Sequence, residues 1–481
     1  MYSVSHLLGR DRTRWFVLLV TCLGALMVIL DGTIINVALP SIAADLRFTA
    51  SSLVWIVNGY MIPYGGFLLL CGRFGDHFGH RRAFAFGIAL FTVASLGCAL
   101  ASTGSQLIGG RIIQGVAAAA VQAVAISLIL EEFEAEAELS RALAIYSSVT
   151  ACGSSAGVLL AGVLTSTLSW RWIFLVNLPI GALVCGLCGA LQFHARQERG
   201  DGRLDIAGAA IVTTSLTVAV GAIINAANTD WWSVYVLAPL CSAVLFFLSF
   251  LAIESRTRTP LVPLTLFRHQ PLRTGVTTNA LGAAAQSTWF FISALNLELI
   301  LGHDALKVGL AYLPATALAA IFPLGLASTL ITLFGIRPLV VTGLLCEAAA
   351  LALLAHAPVQ ATYVRDLLPG MLLLGLGAGL VYTPLVLSAL NSVSASERGV
   401  ASGVFSSSAV MGQALGIALA TSIAAARSGH LIESGIDVPT ALHSGYGLAY
   451  LFGAAVAVSG ALVSLFRPAA NRSAAETIRT P

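Results

Sequence analysis

The chain has 481 residues, 57% of them hydrophobic and 10% charged, with a formal net charge of +3. Soluble domains carry nearer a quarter charged residues, so too few charges are present to cover a water-facing surface, and an integral membrane protein is the class that fits. The eight cysteines lie in or at the ends of apolar runs, which excludes an extracellular disulfide framework, and the pair Cys185/Cys188 inside "IGALVCGLCGAL" reads as helix packing.

A membrane-spanning helix needs roughly 20 mostly apolar residues. In chain order such runs fall near 15–39, 52–71, 83–101, 107–130, 142–166, 172–191, 206–226 and 233–253. Six more fall near 274–299, 307–331, 338–357, 365–390, 400–425 and 445–466. The pattern predicts an all-α protein of fourteen transmembrane helices joined by short loops. Arg and Lys collect in cytoplasmic loops. With the N-terminus inside, nineteen basic residues fall on its side, five (Arg47, Arg171, Lys307, Arg365 and Arg427) fall opposite, and Arg111 lies within a span. Both termini are therefore expected in the cytoplasm, with the cell membrane as the location.

An internal repeat sets the domain order. Arg81 in "FGHRR" and Arg337 in "FGIRP" are 337 − 81 = 256 residues apart, and Arg141 in "SRALA" and Arg398 in "ERGVA" are 398 − 141 = 257 apart. The expected division is a tail at 1–12, an N-terminal six-helix bundle at 13–191, a linker at 192–273 with two extra helices (206–226 and 233–253), a C-terminal six-helix bundle at 274–467 and a tail at 468–481. Parallel repeats around a midplane site are a transporter architecture.

Charges inside the spans mark candidate chemistry, because each costs about 2.5–3.5 kcal/mol on insertion scales unless it faces protein or water. Asp31 stands in "LDGTIINVALP" (30–40), in a segment otherwise uncharged from Trp15 onward. At roughly 1.5 Å of rise per residue it sits about 12 Å below the outer edge of its span. Arg111, in "LIGGRIIQGVAAAA" (107–120), lies several ångströms below the same edge, so the two are candidates for one buried electrostatic site. A carboxylate there can take a proton when desolvated and release it when the Arg approaches. At or next to the repeat offset neither charge recurs: Thr288 (288 − 31 = 257) or its neighbour Trp289 faces Asp31, and Leu367 or Leu368 faces Arg111. Glu298 and Glu347 are two further acids to weigh. The chain has no G-x-x-x-x-G-K-[ST] loop for phosphate-driven transport, no H-E-x-x-H and no T-V-G-Y-G filter. A gradient-driven carrier with no cofactor beyond the proton gradient, rather than an enzyme, is the simplest reading. An importer would use the same fold, whereas a membrane receptor or enzyme predicts no proton flux on adding substrate.

Taken together, these residues resemble the major facilitator superfamily, and more narrowly its fourteen-helix drug:proton antiporters of the QacA/EmrB type, from about residue 13 to 467. "LDGTIINVALP" resembles a signature of that branch. "GRFGDHFGHRR" (72–82) is similar to the superfamily's loop signature, with Gly72, Arg73, Asp76, Gly79, Arg81 and Arg82 in the matching places. In the family that loop acts as a latch between the halves. Its glycines permit a tight passage, and Asp76 can cap a helix or pair with Arg81. The stretch around Arg111 resembles the span-4 signature, which implies a part in proton transfer for that Arg. "GSSAGVLLAGVL" (153–164) keeps Gly153, Gly157 and Gly162 of the antiporter element, but Val158 stands where Pro is usual and Ala161 where Gly is.

The resemblance implies a proton-coupled exporter of drugs, antibiotics or other amphiphilic small molecules that works by alternating access, most simply as a monomer. Asp31 and Arg111, with Glu298 and Glu347 as further sites, would couple the proton. A mixed aromatic and amide cavity suits such substrates. Its candidate lining is Asn36, Asn58, Tyr60, Gln114, Gln122, Trp289, Phe290, Asn296 and Tyr382. No metal site or nucleic-acid contact is expected.

Overall fold

The computed structural model describes residues 10–133, 136–190, 205–226, 229, 231–257, 260–321, 327–394 and 397–465. The second expected tail, all but the end of the first, and linker residues 192–204 lie outside the described residues. The described chain is helical throughout. Helices α1 (Arg10–Leu46), α2 (Ala50–Phe78), α3 (His80–Ala99), α4 (Gly104–Glu132), α5 (Glu136–Thr167) and α6 (Asn177–Ala190) form a first series. Two more, α7 (Ile206–Ala226) and α8 (Val234–Arg256), precede a second series: α9 (Gln270–Leu295), α10 (Ala305–Ile321), α11 (Ile336–Ala355), α12 (Leu368–Leu390), α13 (Arg398–Glu433) and α14 (Val438–Leu465).

Among the described residues, twelve helices are long and apolar enough to cross a membrane. The expectation was fourteen. The two outside the twelve are α9, whose 26 residues include Thr, Asn, Gln and Ser at many positions, and α10, an apolar helix of 17 residues. Helix starts follow local chemistry. At the start of α2 the Ser52 amide donates to Thr49 Oγ1 at 3.2 Å while the Thr49 amide donates to Ser52 Oγ at 2.9 Å, a reciprocal capping box. Prolines 40, 63, 239, 314 and 384 lie inside helices, as membrane helices tolerate when neighbours satisfy the freed backbone groups.

The two series pair their helices alike. In the first, α1 packs on α4, α5 and α6, α4 on α2 and α3, and α3 on α6. In the second, α9 packs on α12, α13 and α14, α12 on α10 and α11, and α11 on α14. Across the series the main contacts are α2 with α13 and α5 with α10, which the repeat interchanges. The backbone carries the same repeat: Gly79 (φ 93°) and Gly335 (φ 80°) take positive φ at the starts of α3 and α11, and 335 − 79 = 256. Of the loop glycines only Gly79 uses this freedom. Gly75 is instead a close-packing position against Val124 and His80.

The two ends of the bundle differ. At the end holding Arg171, one apolar core draws on both series, uniting Leu39, Ile42, Trp170 and Phe174 with Leu297, Val308, Leu354 and Leu367. At the end holding Arg81, each series keeps its own cores. What joins them there is the α2–α13 contact and the α7–α8 pair, since α7 packs on α2, α8 and α13. Phe67, Leu69, Ala209, Phe250, Val262 and Val404 share that joint.

A left-handed conformation costs roughly 1–2 kcal/mol for a residue with a Cβ. Gly79→Ala and Gly335→Ala should each lower stability by about that amount, read from thermal unfolding in detergent. Gly97→Ala, in open space on α3, should be neutral or raise it by up to about 1 kcal/mol.

Candidate functional site

Within the core of the first series two opposite charges are buried together. Asp31 on α1 and Arg111 on α4 are both 0% exposed and meet with Arg111 Nη1 2.5 Å from Asp31 Oδ2. The other carboxylate oxygen, Oδ1, accepts from Asn177 Nδ2 at 2.9 Å and from Gln114 Nε2 at 3.2 Å. The guanidinium is held as fully as the carboxylate. Its Nε donates to the Ile56 carbonyl of α2 at 3.2 Å, and Nη1 also donates to Gln114 Oε1 at 2.9 Å. Its carbon lies 4.2 Å from the Tyr60 ring centroid and 5.9 Å from that of Phe174, so aromatic faces close the remaining sides. Gln114 and Asn177 are fixed in turn by Ser95 Oγ on α3, at 2.8 Å and 3.4 Å, and the Cys98 thiol donates to Gln114 Oε1 at 3.3 Å.

Five helices therefore supply one sealed polar knot in which the charges cancel. Within the knot Arg111 Nη2 and Asn177 Oδ1 are buried without a partner. The sequence marks Asp31, Arg111, Gln114 and Tyr60, but not Asn177, Ser95 or Cys98. Asn177 had a readable signal: it is the amide in the apolar run "WRWIFLVNLPIG".

The remaining candidates are distributed. Asn36 turns back to its own helix, donating to Gly32 O and Thr33 O. Asn58 is 0% exposed, and neither its amide nitrogen nor its oxygen has a partner. Gln122 donates to Tyr146 Oη at 3.0 Å and leaves Oε1 enclosed and unpartnered. Tyr146 and Tyr64 lie within electrostatic reach of Tyr382 from the second series. Tyr382 is 60% exposed. Trp289 is buried with its indole nitrogen 3.2 Å from Met371 Sδ, and Phe290 stacks on Tyr312 at 5.1 Å. Asn296 is buried where α9 passes into a π-helical turn, Asn296–Ile300, that also carries Glu298. Glu298 and Glu347 each have one enclosed carboxylate oxygen without a partner, and Glu347 packs against Gly377 of α12. Neither glutamate joins the knot.

In the loop motif Asp76 takes neither expected partner role. It meets His80 Nε2 at 2.9 Å, and His80 Nδ1 meets Glu131 at 2.6 Å. Arg81 reaches Glu132 on α4, and Arg82 is exposed. Arg73 donates to the Pro260 carbonyl, beyond α8. Gly72 approaches Ala123 of α4. Along α5, Gly153 and Gly157 let α1 approach, against Leu26 and against Thr33 and Leu30, while Gly162 meets Ala305 of α10 in the other series. The residues at 158 and 161 are buried at that crossing, where Gly309 comes up to the Val158 carbonyl.

The family model of the Major Facilitator Superfamily matches residues 21–417. The chain is 33% identical to a cephamycin export protein of Amycolatopsis lactamdurans, over 97% of this chain and 95% of that one. It is also 33% identical to a puromycin resistance protein of Streptomyces alboniger, over 95% and 91%. Among solved structures, an auto-inhibited peptide transporter of the POT family superposes with a TM-score of 0.69 at 16% identity, covering 96% of this chain and 98% of that chain.

Removing one member of a buried ion pair leaves an uncompensated charge and costs about 3–5 kcal/mol, whereas replacing both with apolar groups is often neutral. Arg111→Leu alone should therefore unfold far below the wild type, and Asp31→Leu/Arg111→Leu should recover most of the loss. A double-mutant cycle of thermal unfolding in detergent measures it.

Proposed function

From the chain's membership of the Major Facilitator Superfamily we propose that it is a proton-coupled exporter of amphiphilic antibiotics or other drugs, working by alternating access as a monomer. The observation that carries the reading is the fully buried Asp31–Arg111 knot in the first series. The named roles of its relatives, cephamycin export and puromycin resistance, support the direction and the substrate class.

In this reading all fourteen helices span the cell membrane, with two six-helix halves and α7–α8 between them. The end holding Arg81 faces the cytoplasm together with both termini. The shared core at the Arg171 end then closes the outside, and the separate cores at the Arg81 end correspond to an inward-facing arrangement. Substrate enters the space bordered by Tyr64, Gln122, Tyr146 and Tyr382, where phenols, an amide and aromatic faces meet an amphiphilic molecule. No cofactor is needed, and no bond of the substrate changes.

Coupling follows from electrostatics. While Arg111 holds Asp31, the two charges cancel and both carboxylate oxygens are hydrogen-bonded. When the halves rock and the guanidinium withdraws or water enters, the carboxylate keeps the amides of Asn177 and Gln114 but loses its cation, and a proton replaces it. Return of Arg111 displaces that proton toward the other side. Glu298 and Glu347 stand apart from the knot, each with an unpartnered carboxylate oxygen, and are secondary candidates for protonation. The Arg73–Arg82 loop acts as the latch, through Arg73 on Pro260 and Arg81 on Glu132.

Proteoliposomes with an imposed pH gradient and puromycin as the probe test this. The wild type should move puromycin against the proton flow. Asp31→Asn should reduce gradient-driven movement to the level of protein-free liposomes while still supporting exchange of puromycin with no gradient. Undiminished coupled efflux in the variant would remove Asp31 as the coupling residue, and movement with the protons would indicate an uptake permease.

A further inference from the structure

A second acidic site lies outside the knot, on the helices inserted between the halves. Glu254, two residues before the end of α8, is 2% exposed. Its Oε1 accepts from the Val262 amide, and its Oε2 is enclosed without a partner. Asp205, at the start of α7, caps that helix through Oδ1, which accepts from the Gly208 amide at 2.8 Å, and its Oδ2 is likewise enclosed without a partner. The two carboxyl groups flank one joint: Ala209, one turn on from Asp205, and Val262, whose amide Glu254 holds, belong to the same apolar cluster, and Asp205 acts electrostatically on Glu254. Neither enclosed oxygen can donate unless it carries hydrogen.

Charge counting gives the same answer. Among the described residues, the charged groups acting on Glu254 are Asp205 from α7 and Arg73 from α2, while the loop at 260–262 presents backbone to it. Two carboxylates and one guanidinium sum to −1. One proton makes the cluster neutral, which a site screened from water at a membrane edge requires. We propose that Glu254, facing Asp205, is a proton-binding site, and that its proton seats the α7–α8 pair on the seam between the halves.

The mechanical link is short. Arg73 holds the Pro260 carbonyl and Glu254 holds the Val262 amide, so one loop is pinned from both α2 and α8. Leu261 and Val262 bury their side chains in the apolar joint with Ala209, Phe250 and Val404 of α13, and Thr213 of α7 lies against Gly66 of α2. Loss of the proton puts two negative charges face to face and pushes the start of α7 away from the end of α8. The seated state binds one proton more than the loosened one, so raising the pH favours loosening, by up to about tenfold in the opening equilibrium per pH unit above release.

Hydrogen–deuterium exchange on the full chain in lipid nanodiscs, without substrate and with Asp31 intact, reads this independently of transport. Between about pH 5 and about pH 9, the range in which a buried carboxyl releases its proton, and after correction for intrinsic rates, exchange at 205–213 and 260–266 in the wild type should rise steeply. Glu254→Gln keeps an acceptor for Val262 and carries no charge, mimicking the protonated acid, so exchange should stay low throughout. Asp205→Asn keeps the helix cap and removes the facing charge, and should give the same flat profile. A flat wild-type profile, or either variant rising with pH as the wild type does, overturns the proposal.

Discussion

Burying an ion pair inside a membrane bundle leaves almost no freedom in how the helices around it are arranged. The pair of Asp31 and Arg111 is 0% exposed on both sides, and each unmet hydrogen-bonding site in such a place costs about 1–3 kcal/mol. The demand fixes five helices at once. Helix α1 brings the carboxylate, α4 the guanidinium and Gln114, and α2 the Ile56 carbonyl and the Tyr60 face. Helix α3 brings Ser95 and Cys98, and α6 brings Asn177. A pair of this kind stabilises little compared with apolar residues of the same volume. Leu at both positions would pack these helices as well, so stability alone does not account for the charges.

The repeat sharpens that argument, because the second series solves the same packing problem without charge. Trp289 lies 289 − 31 = 258 residues beyond Asp31, and Met371 lies 371 − 114 = 257 beyond Gln114. Their contact, Trp289 Nε1 to Met371 Sδ at 3.2 Å, stands where the first series joins a carboxylate to an amide. Phe290 and Tyr312 extend it into an aromatic cluster. The helix pairings are the same in both series, so the fold itself does not need the knot. The buried pair of opposite charges belongs to one half, and at the corresponding place the other offers rings and a thioether.

What the sequence made legible follows from signal strength in an apolar background. A charge in a span is rare and expensive, so Asp31 and Arg111 stood out and simple depth arithmetic placed them together. The Gly-centred loops at Gly79 and Gly335 carried the repeat because the chain needs a positive φ there. Asn177, Ser95 and Cys98 did not stand out, since small polar residues occur in membrane helices for many reasons and only their convergence on Gln114 and Asp31 separates them. The Asp76 contact was misread because His80, one turn on, competes for the carboxylate with a ring whose second nitrogen is already anchored by Glu131. Glu254 and Asp205 were passed over for a different reason. Both lie at helix ends, where acids usually face water, and nothing in the sequence says that the loop after α8 folds back to cover them.

That fold-back also breaks the symmetry of the assembly. Two seams join the halves, α2 with α13 and α5 with α10, and the repeat would make them equivalent. The α7–α8 pair packs on the first, and Ser407 Oγ bonds the Gly65 carbonyl beneath it at 3.0 Å. The second seam is a glycine crossing, Gly162 against Ala305 and Gly309 against Val158, with backbones close enough to slide as rigid surfaces. Rocking of one half on the other therefore meets unequal resistance: the α5–α10 crossing can act as the pivot, while movement at α2–α13 must carry the inserted pair with one half or part it from the other. The polar anchors of that pair, Arg73 on Pro260 and Glu254 on Val262, tie it to α2. It should travel with the first half, and the interface that opens is the apolar one with Val400 and Val404 of α13, which separates without leaving a buried charge unpaired.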